Sequence, residues 1–160
     1  MNEFYEKNII SVRDLDKQKL ELIFDATDKI IDMSQDKRRE IARGKTLGYL
    51  FFEPSTRTRL SFESAIALLG GTSLGIADAT SSSIHKGETL GDTVKVISSY
   101  CDVLVLRHSL DGSSRFAAEI SNKPVINAGS GTEEHPTQTI QDLFTIKKEK
   151  KKIDGLKIGI

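Results

Sequence analysis

Ser55-Thr56-Arg57-Thr58-Arg59 puts three hydroxyls and two guanidiniums side by side, directly after an apolar run and a proline. Upstream, Leu47-Gly48-Tyr49-Leu50-Phe51-Phe52 is short, continuous and apolar, as suits a strand buried on both faces. Downstream, Phe62, Ala65, Ile66 and Leu69 recur at helical spacing until Gly70-Gly71 supplies a stop. Ser55 therefore falls at the N-cap of a helix whose first turn offers unpaired N–H groups, hydroxyls and the Arg57 cation at the positive end of the dipole. That combination predicts an anion site, with phosphate as its ligand. It is not a Walker loop, because the glycines and the Lys-Ser/Thr pair are absent. By spacing alone the same residues serve equally well as a capped helix start with a solvent-facing arginine.

Elements must bring other chemistry to this point. Leu20, Ile23, Phe24, Thr27, Ile30 and Ile31 predict a helix over residues 16–34, capped by Asp16. The highly charged stretch 35–45 reads as a solvated connection. A second strand is expected over 72–77, then a polar surface loop over 78–88. A helix over 89–99 leads to a buried strand, Val103-Leu104-Val105-Leu106, ending at Arg107-His108. A helix over 112–120, a strand at Val125-Ile126-Asn127 and a flexible turn, Ala128-Gly129-Ser130-Gly131-Thr132, precede His135. Pro136 suits the first position of a helix carried on by Ile140, Leu143, Phe144 and Ile146, and basic residues 147–152 suit its end.

This alternation predicts an α/β fold, a parallel sheet with helices on both faces. Ligands in such sheets bind beyond the carboxyl ends of the strands. Four strand ends lead to Ser55, Lys86, Arg107 and His135, so four separated stretches can meet on one rim.

A chain of 160 residues suits one core, and 23 basic against 23 acidic residues leave no net field to attract nucleic acid or a membrane surface. Apolar runs are too short to cross a bilayer and the first residues do not resemble a secretory leader, so a cytoplasmic setting is the expectation. A single cysteine, Cys101, excludes an internal disulfide, and three scattered histidines argue against zinc. No metal or cofactor is expected.

Taken together, Ser55-Thr56-Arg57-Thr58-Arg59 and His135-Pro136-Thr137-Gln138, about eighty residues apart, resemble the two signatures of the aspartate/ornithine carbamoyltransferase family. The likeness runs over residues 14–160 and is to the carbamoyl-phosphate half of that two-domain fold. It implies a carbamoyl-phosphate-binding domain over residues 1–150. Residues 151–160, with the apolar Leu156-Lys157-Ile158-Gly159-Ile160, would then be a linker and the first strand of a missing aspartate-binding domain.

Acyl transfer from carbamoyl phosphate needs a phosphate grip, a polarised carbonyl and a placed amine. Ser55, Thr56, Arg57 and Thr58 can grip phosphate. The resemblance makes Arg107, His135 and the Thr58 hydroxyl donors to the carbonyl oxygen, and Gln138 an acceptor for the carbamoyl amide. It makes Ser82 and Lys86 residues supplied to a neighbouring subunit's site in a homotrimer, leaves room for a regulatory chain, and makes Glu53 a residue that holds two domains closed, with a partner beyond Ile160. Arg59 reads as a structural ion-pair residue, and His85 has no assigned role. The implied reaction is carbamoyl transfer to L-aspartate in pyrimidine synthesis, while the 160 residues alone bind carbamoyl phosphate without turnover. Lys86-Gly87-Glu88-Thr89-Leu90 and Val105-Leu106-Arg107-His108 resemble the aspartate branch. Ornithine carbamoyltransferase, or a non-catalytic phosphate-binding or assembly module, are the alternatives.

Overall fold

The apolar run before Ser55 is β1 (Thr46–Phe51), and its alternating side chains supply two cores at once. Leu50 and the following Phe52 join one cluster with Leu104, Leu106 and Val125, whereas Leu47, Tyr49 and Phe51 join a second with Val105 and Ala128. A strand with apolar residues on both sides must be covered on both sides, so it lies inside a parallel sheet. The computed structural model describes residues 3–78 and 87–159.

The other strands are β2 (Thr72–Ile76), β3 (Val103–His108) and β4 (Val125–Ser130), all parallel, in the order β2-β1-β3-β4. Helix α3 (Thr56–Leu68) links β1 to β2 and places Phe62 and Ile66 on the second cluster. Helices α4 (Leu90–Ser98) and α5 (Ser113–Ile120) cover the opposite face with Val94 and Ala117. Helix α6 (Pro136–Lys150) follows β4, and its Phe144 ring lies 5.6 Å from Phe24 of α1 (Lys17–Asp32). The expected α/β architecture, with helices on both faces, is the one observed.

Several local expectations change. Residues 35–45 are more than a solvated link: α2 (Gln35–Arg39) forms, Ala42 is buried, and Ala42 N–H donates to the Leu69 carbonyl at 2.9 Å. The charges face water while one small residue packs. Gly70 is needed there, since it has φ +87° and a Cβ would sit 1.7 Å from the Arg39 carbonyl oxygen. The flexible turn expected from Ala128 begins later, because β4 continues to Ser130 and residues 128–130 are buried. Asn127 explains this: its side chain accepts from Gly129 N–H at 2.9 Å and Ser130 Oγ at 3.1 Å, a local network that no apolar pattern announces. The strand expected over 156–160 has no ladder over 156–159, for nothing among the described residues pairs with it. Most of the surface loop expected over 78–88, with Ser82, His85 and Lys86, lies outside the described residues.

The N-terminal segment, unread in the sequence, borders β4. Ile9 N–H donates to the Val125 carbonyl at 2.9 Å and Asn127 N–H to the Ile9 carbonyl at 2.8 Å, shielding an otherwise open edge. Among the described residues no helix is long and apolar enough to cross a membrane.

At the amino ends of the strands, Asp102 accepts from Thr46 N–H at 2.9 Å and from Lys45 Nζ at 3.0 Å, and these bonds hold its carboxyl below the usual range. A depressed carboxylate stabilises the fold above its unfolded pKa of about 3.9 and loses that contribution as pH falls through the folded value. The Asp102 side chain is 40% exposed, so screening reduces its worth to about 1 kcal/mol. We expect Asp102→Asn to lower thermal stability by that amount at pH 7, with the difference shrinking in melting curves as pH falls below about 3.9 and lost once it is below the folded value. A gap constant down to pH 2 would contradict this account.

Candidate active site

Strand order reverses between β1 and β3: the chain leaves β1 for β2 on one side, while β3 and β4 lie on the other. The connecting helices go to opposite faces at that point, α3 to one and α4 to the other, so the carboxyl ends of β1 and β3 open on a crevice. A cleft of about 770 Å³ lies there, lined by Ser55, Thr56, Arg57, Thr58, Arg107, His135 and Gln138 among others. Of the expected site residues, every one that the structure describes faces this single cleft. Pro54, Ser61, Phe62, Thr137 and Gln141 also line it and were not among the site residues expected from the sequence. Ser61, Phe62 and Gln141 lie about one helical turn beyond residues that were, a spacing that could have nominated them.

Each side chain has a reason to be where it is. Ser55 occupies the N-cap of α3 in extended geometry, but its hydroxyl makes no capping bond, so the first turn's donors stay open to a ligand. Arg57 is exposed and has no ion pair among the described residues. The neighbouring Arg59 behaves differently, donating to Glu63 one turn on at 2.7 Å, which bears out its reading as a structural ion-pair residue.

Arg107 is the penultimate residue of β3, and its side chain is 19% exposed. Its Nη2 donates to Glu53 Oε1 at 3.0 Å and its Nη1 to the Ala128 carbonyl at 3.3 Å. Among the described residues the partner of Glu53 is Arg107, a contact that was not read from the sequence. Phe51 is in register with Arg107, so the residue two positions after Phe51 reaches the guanidinium directly. The Nε of Arg107 is buried without a hydrogen-bond partner among the described residues. Gly129 makes the close approach workable: at φ +118° it presents no Cβ, which would lie 3.2 Å from Arg107 Nη1.

His135 is the N-cap of α6, with Nδ1 accepting from Gln138 N–H at 3.3 Å. Burial, and next the positive charge of Arg107, push its pKa below the ordinary value of 6.5. The ring is then neutral at pH 7. With Nδ1 accepting, Nε2 carries the proton and can donate to a substrate oxygen. The Gln138 side-chain nitrogen donates to Asp142 Oδ1 at 3.0 Å, leaving its oxygen as the free acceptor. The cleft thus combines an uncapped helix start, two guanidiniums and a neutral imidazole donor around space for one anion. Such a set can hold phosphate and stabilise a negative oxygen beside it.

A family model described as the aspartate/ornithine carbamoyltransferase, carbamoyl-P binding domain matches residues 7–148. The chain belongs to this family. It is 73% identical over 160 residues to the aspartate carbamoyltransferase catalytic subunit of Nitrosopumilus maritimus, covering all of this chain and 52% of that one. Among solved structures it resembles the catalytic subunit of M. jannaschii aspartate transcarbamoylase, with a TM-score of 0.87 and 47% identity over 94% of this chain and 49% of the other. It also resembles Trypanosoma cruzi aspartate transcarbamoylase in complex with carbamoyl phosphate and aspartate, with a TM-score of 0.83 and 36% identity over 94% of this chain and 50% of the other. The chain spans about half the length of these carbamoyltransferase relatives.

Inorganic phosphate titrated into the ¹⁵N-labelled chain should perturb the amides of residues 55–58. Arg57→Ala removes a charge-assisted contact and should weaken that binding about tenfold. Glu53→Gln removes the cleft's nearest negative charge from Arg107 and should strengthen it a few-fold. Shifts centred elsewhere, or an unchanged dissociation constant in Arg57→Ala, would rule out this placement of the anion.

Proposed function

We propose that this chain is the carbamoyl-phosphate domain of an aspartate carbamoyltransferase, the enzyme that makes N-carbamoyl-L-aspartate and phosphate for pyrimidine synthesis. The observation that carries the proposal is the convergence of the α3 start, Arg107 and the α6 start on one cleft at the strand-order reversal. The names of the relatives support aspartate over ornithine as acceptor.

In this reading the phosphate sits on the first turn of α3, held by Ser55, Thr56, Arg57 and Thr58. The carbamoyl carbonyl oxygen accepts from Thr58, Arg107 and the His135 Nε2–H, and Gln138 accepts from the carbamoyl amide. The aspartate amine attacks the carbonyl carbon, forming the new C–N bond, and the charge on the oxygen grows against donors already in place. Collapse breaks the C–O bond to phosphate, which leaves with the electron pair and takes the amine's proton. Arg57 gains strength as that charge appears, so it contributes to rate more than to ground-state affinity. Arg107 must be shared between Glu53 and the carbonyl oxygen, so binding is expected to loosen the Arg107–Glu53 pair.

Residues 1–150 form the carbamoyl-phosphate domain and 151–160 begin the connection to an aspartate-binding domain. Ser82 and Lys86 act in trans in a homotrimer, and cytoplasmic location and any regulatory chain belong to the same proposal. Its support here is the family likeness of the loop, since both residues lie outside those the structure describes.

Residues 1–160 by themselves should form no carbamoyl-aspartate, because they leave the cleft open to water. Fused to the second half of the Nitrosopumilus maritimus relative, it should carbamoylate aspartate and not ornithine. Fused Arg57→Ala and Lys86→Ala chains should each be nearly inactive, and hybrid trimers should recover up to about a third of normal activity, because one of three interfaces escapes both lesions. Turnover by the chain alone, an inactive fusion, or verified hybrids without recovery would each contradict the part it tests.

A further inference from the structure

Gln138 has a task that its own side chain cannot guarantee. An amide can turn either its oxygen or its nitrogen to a ligand at nearly the same shape. Most charged and ring groups around the cleft are donors: Arg57, Arg107 and, with Nδ1 occupied by Gln138 N–H, the remaining nitrogen of His135. A ligand carrying an NH₂ group would meet one more donor, and lose an acceptor, if the Gln138 nitrogen also faced inward.

One residue prevents this. Asp142, one turn further along α6, accepts from Gln138 Nε2 at 3.0 Å and does not itself line the cleft. An ionised carboxylate has no proton to give, so it can hold only the nitrogen end of the amide. The oxygen is thereby left free. A carboxylate one turn behind a phosphate-binding wall repels the ligand through Coulomb's law, so its presence calls for a compensating use.

We propose that Asp142 is a positioning residue that locks the Gln138 amide with its oxygen free for the ligand, and so makes the cleft prefer a carbamoyl group over an acetyl group of the same shape. This rests on the carbamoyl-phosphate reading of the site.

The test uses two hydrolysis-resistant phosphonates that differ only in NH₂ against CH₃, phosphonoacetamide and 2-oxopropylphosphonate, titrated into the chain and read by amide shifts. The unaltered chain should bind the amide about tenfold more tightly than the ketone, the loss expected when a polar site meets a partner lacking the hydrogen. Gln138→Ala should bring the ratio near one. Asp142→Ala should cut the ratio several-fold while leaving inorganic phosphate bound at least as tightly. Combined with Gln138→Ala it should change the ratio no further, since it acts only through that amide. Both residues are exposed and alanine favours helix, so circular dichroism should show α6 intact. If neither phosphonate binds, the carbamoyl-phosphate reading fails and this inference with it. If Gln138→Ala collapses the ratio and Asp142→Ala does not, the reading stands and the role of Asp142 is overturned.

Discussion

The parallel pairing of β1 with β3 is the interaction on which the site depends. Phe51 is in register with Arg107, and Phe52 N–H donates to the Arg107 carbonyl at 2.9 Å. That ladder puts the start of α3 and the Arg107 guanidinium beside each other, although about fifty residues of chain separate them. Strand order reverses at the same place, so the elements that would fill the crevice diverge instead. Polar side chains can stand there with few bonds to each other. The fully buried Leu50, Leu104 and Leu106 anchor the pair from below, each removing apolar area worth roughly 1.5–3 kcal/mol from water.

Charge is balanced locally on this scaffold. Arg57 is left exposed and unpaired among the described residues, whereas Arg107 is held by Glu53 and a carbonyl. A partly buried guanidinium without partners would be costly, so Glu53 keeps Arg107 in place before a ligand arrives. The same carboxylate opposes the ligand's charge. His135 escapes that conflict, because burial and Arg107 keep it neutral while its helix position fixes which nitrogen accepts.

The layered α/β fold was legible in the sequence because β1, β3 and the helix stripes are long, regular and apolar. The candidate site was legible as one cleft because strand ends and helix starts are where unpaired donors lie, and the residues at 55–58, 107 and 135–138 fall there. What stayed hidden depends on single tertiary contacts. Glu53 could not be matched with Arg107 without the β1–β3 register, and the docking of residues 9–10 on β4 has no hydrophobic period to reveal it. The continuation of β4 to Ser130 rests on the Asn127 network, whose residue types read as a turn. Residues 35–45 misled for the opposite reason: their charge is real, and only Ala42 among them is buried.

The central claim is that one cleft binds phosphate on the first turn of α3 while directing a carbonyl at Arg107 and His135. A crystal structure of the chain with phosphonoacetamide tests it most directly. The account predicts the phosphonate against the backbone N–H groups of residues 56–58 with Arg57 closing on it, and the carbonyl oxygen within hydrogen-bond reach of Thr58, Arg107 and His135 Nε2. A ligand bound away from the α3 start, or a carbonyl turned from both Arg107 and His135, would contradict it.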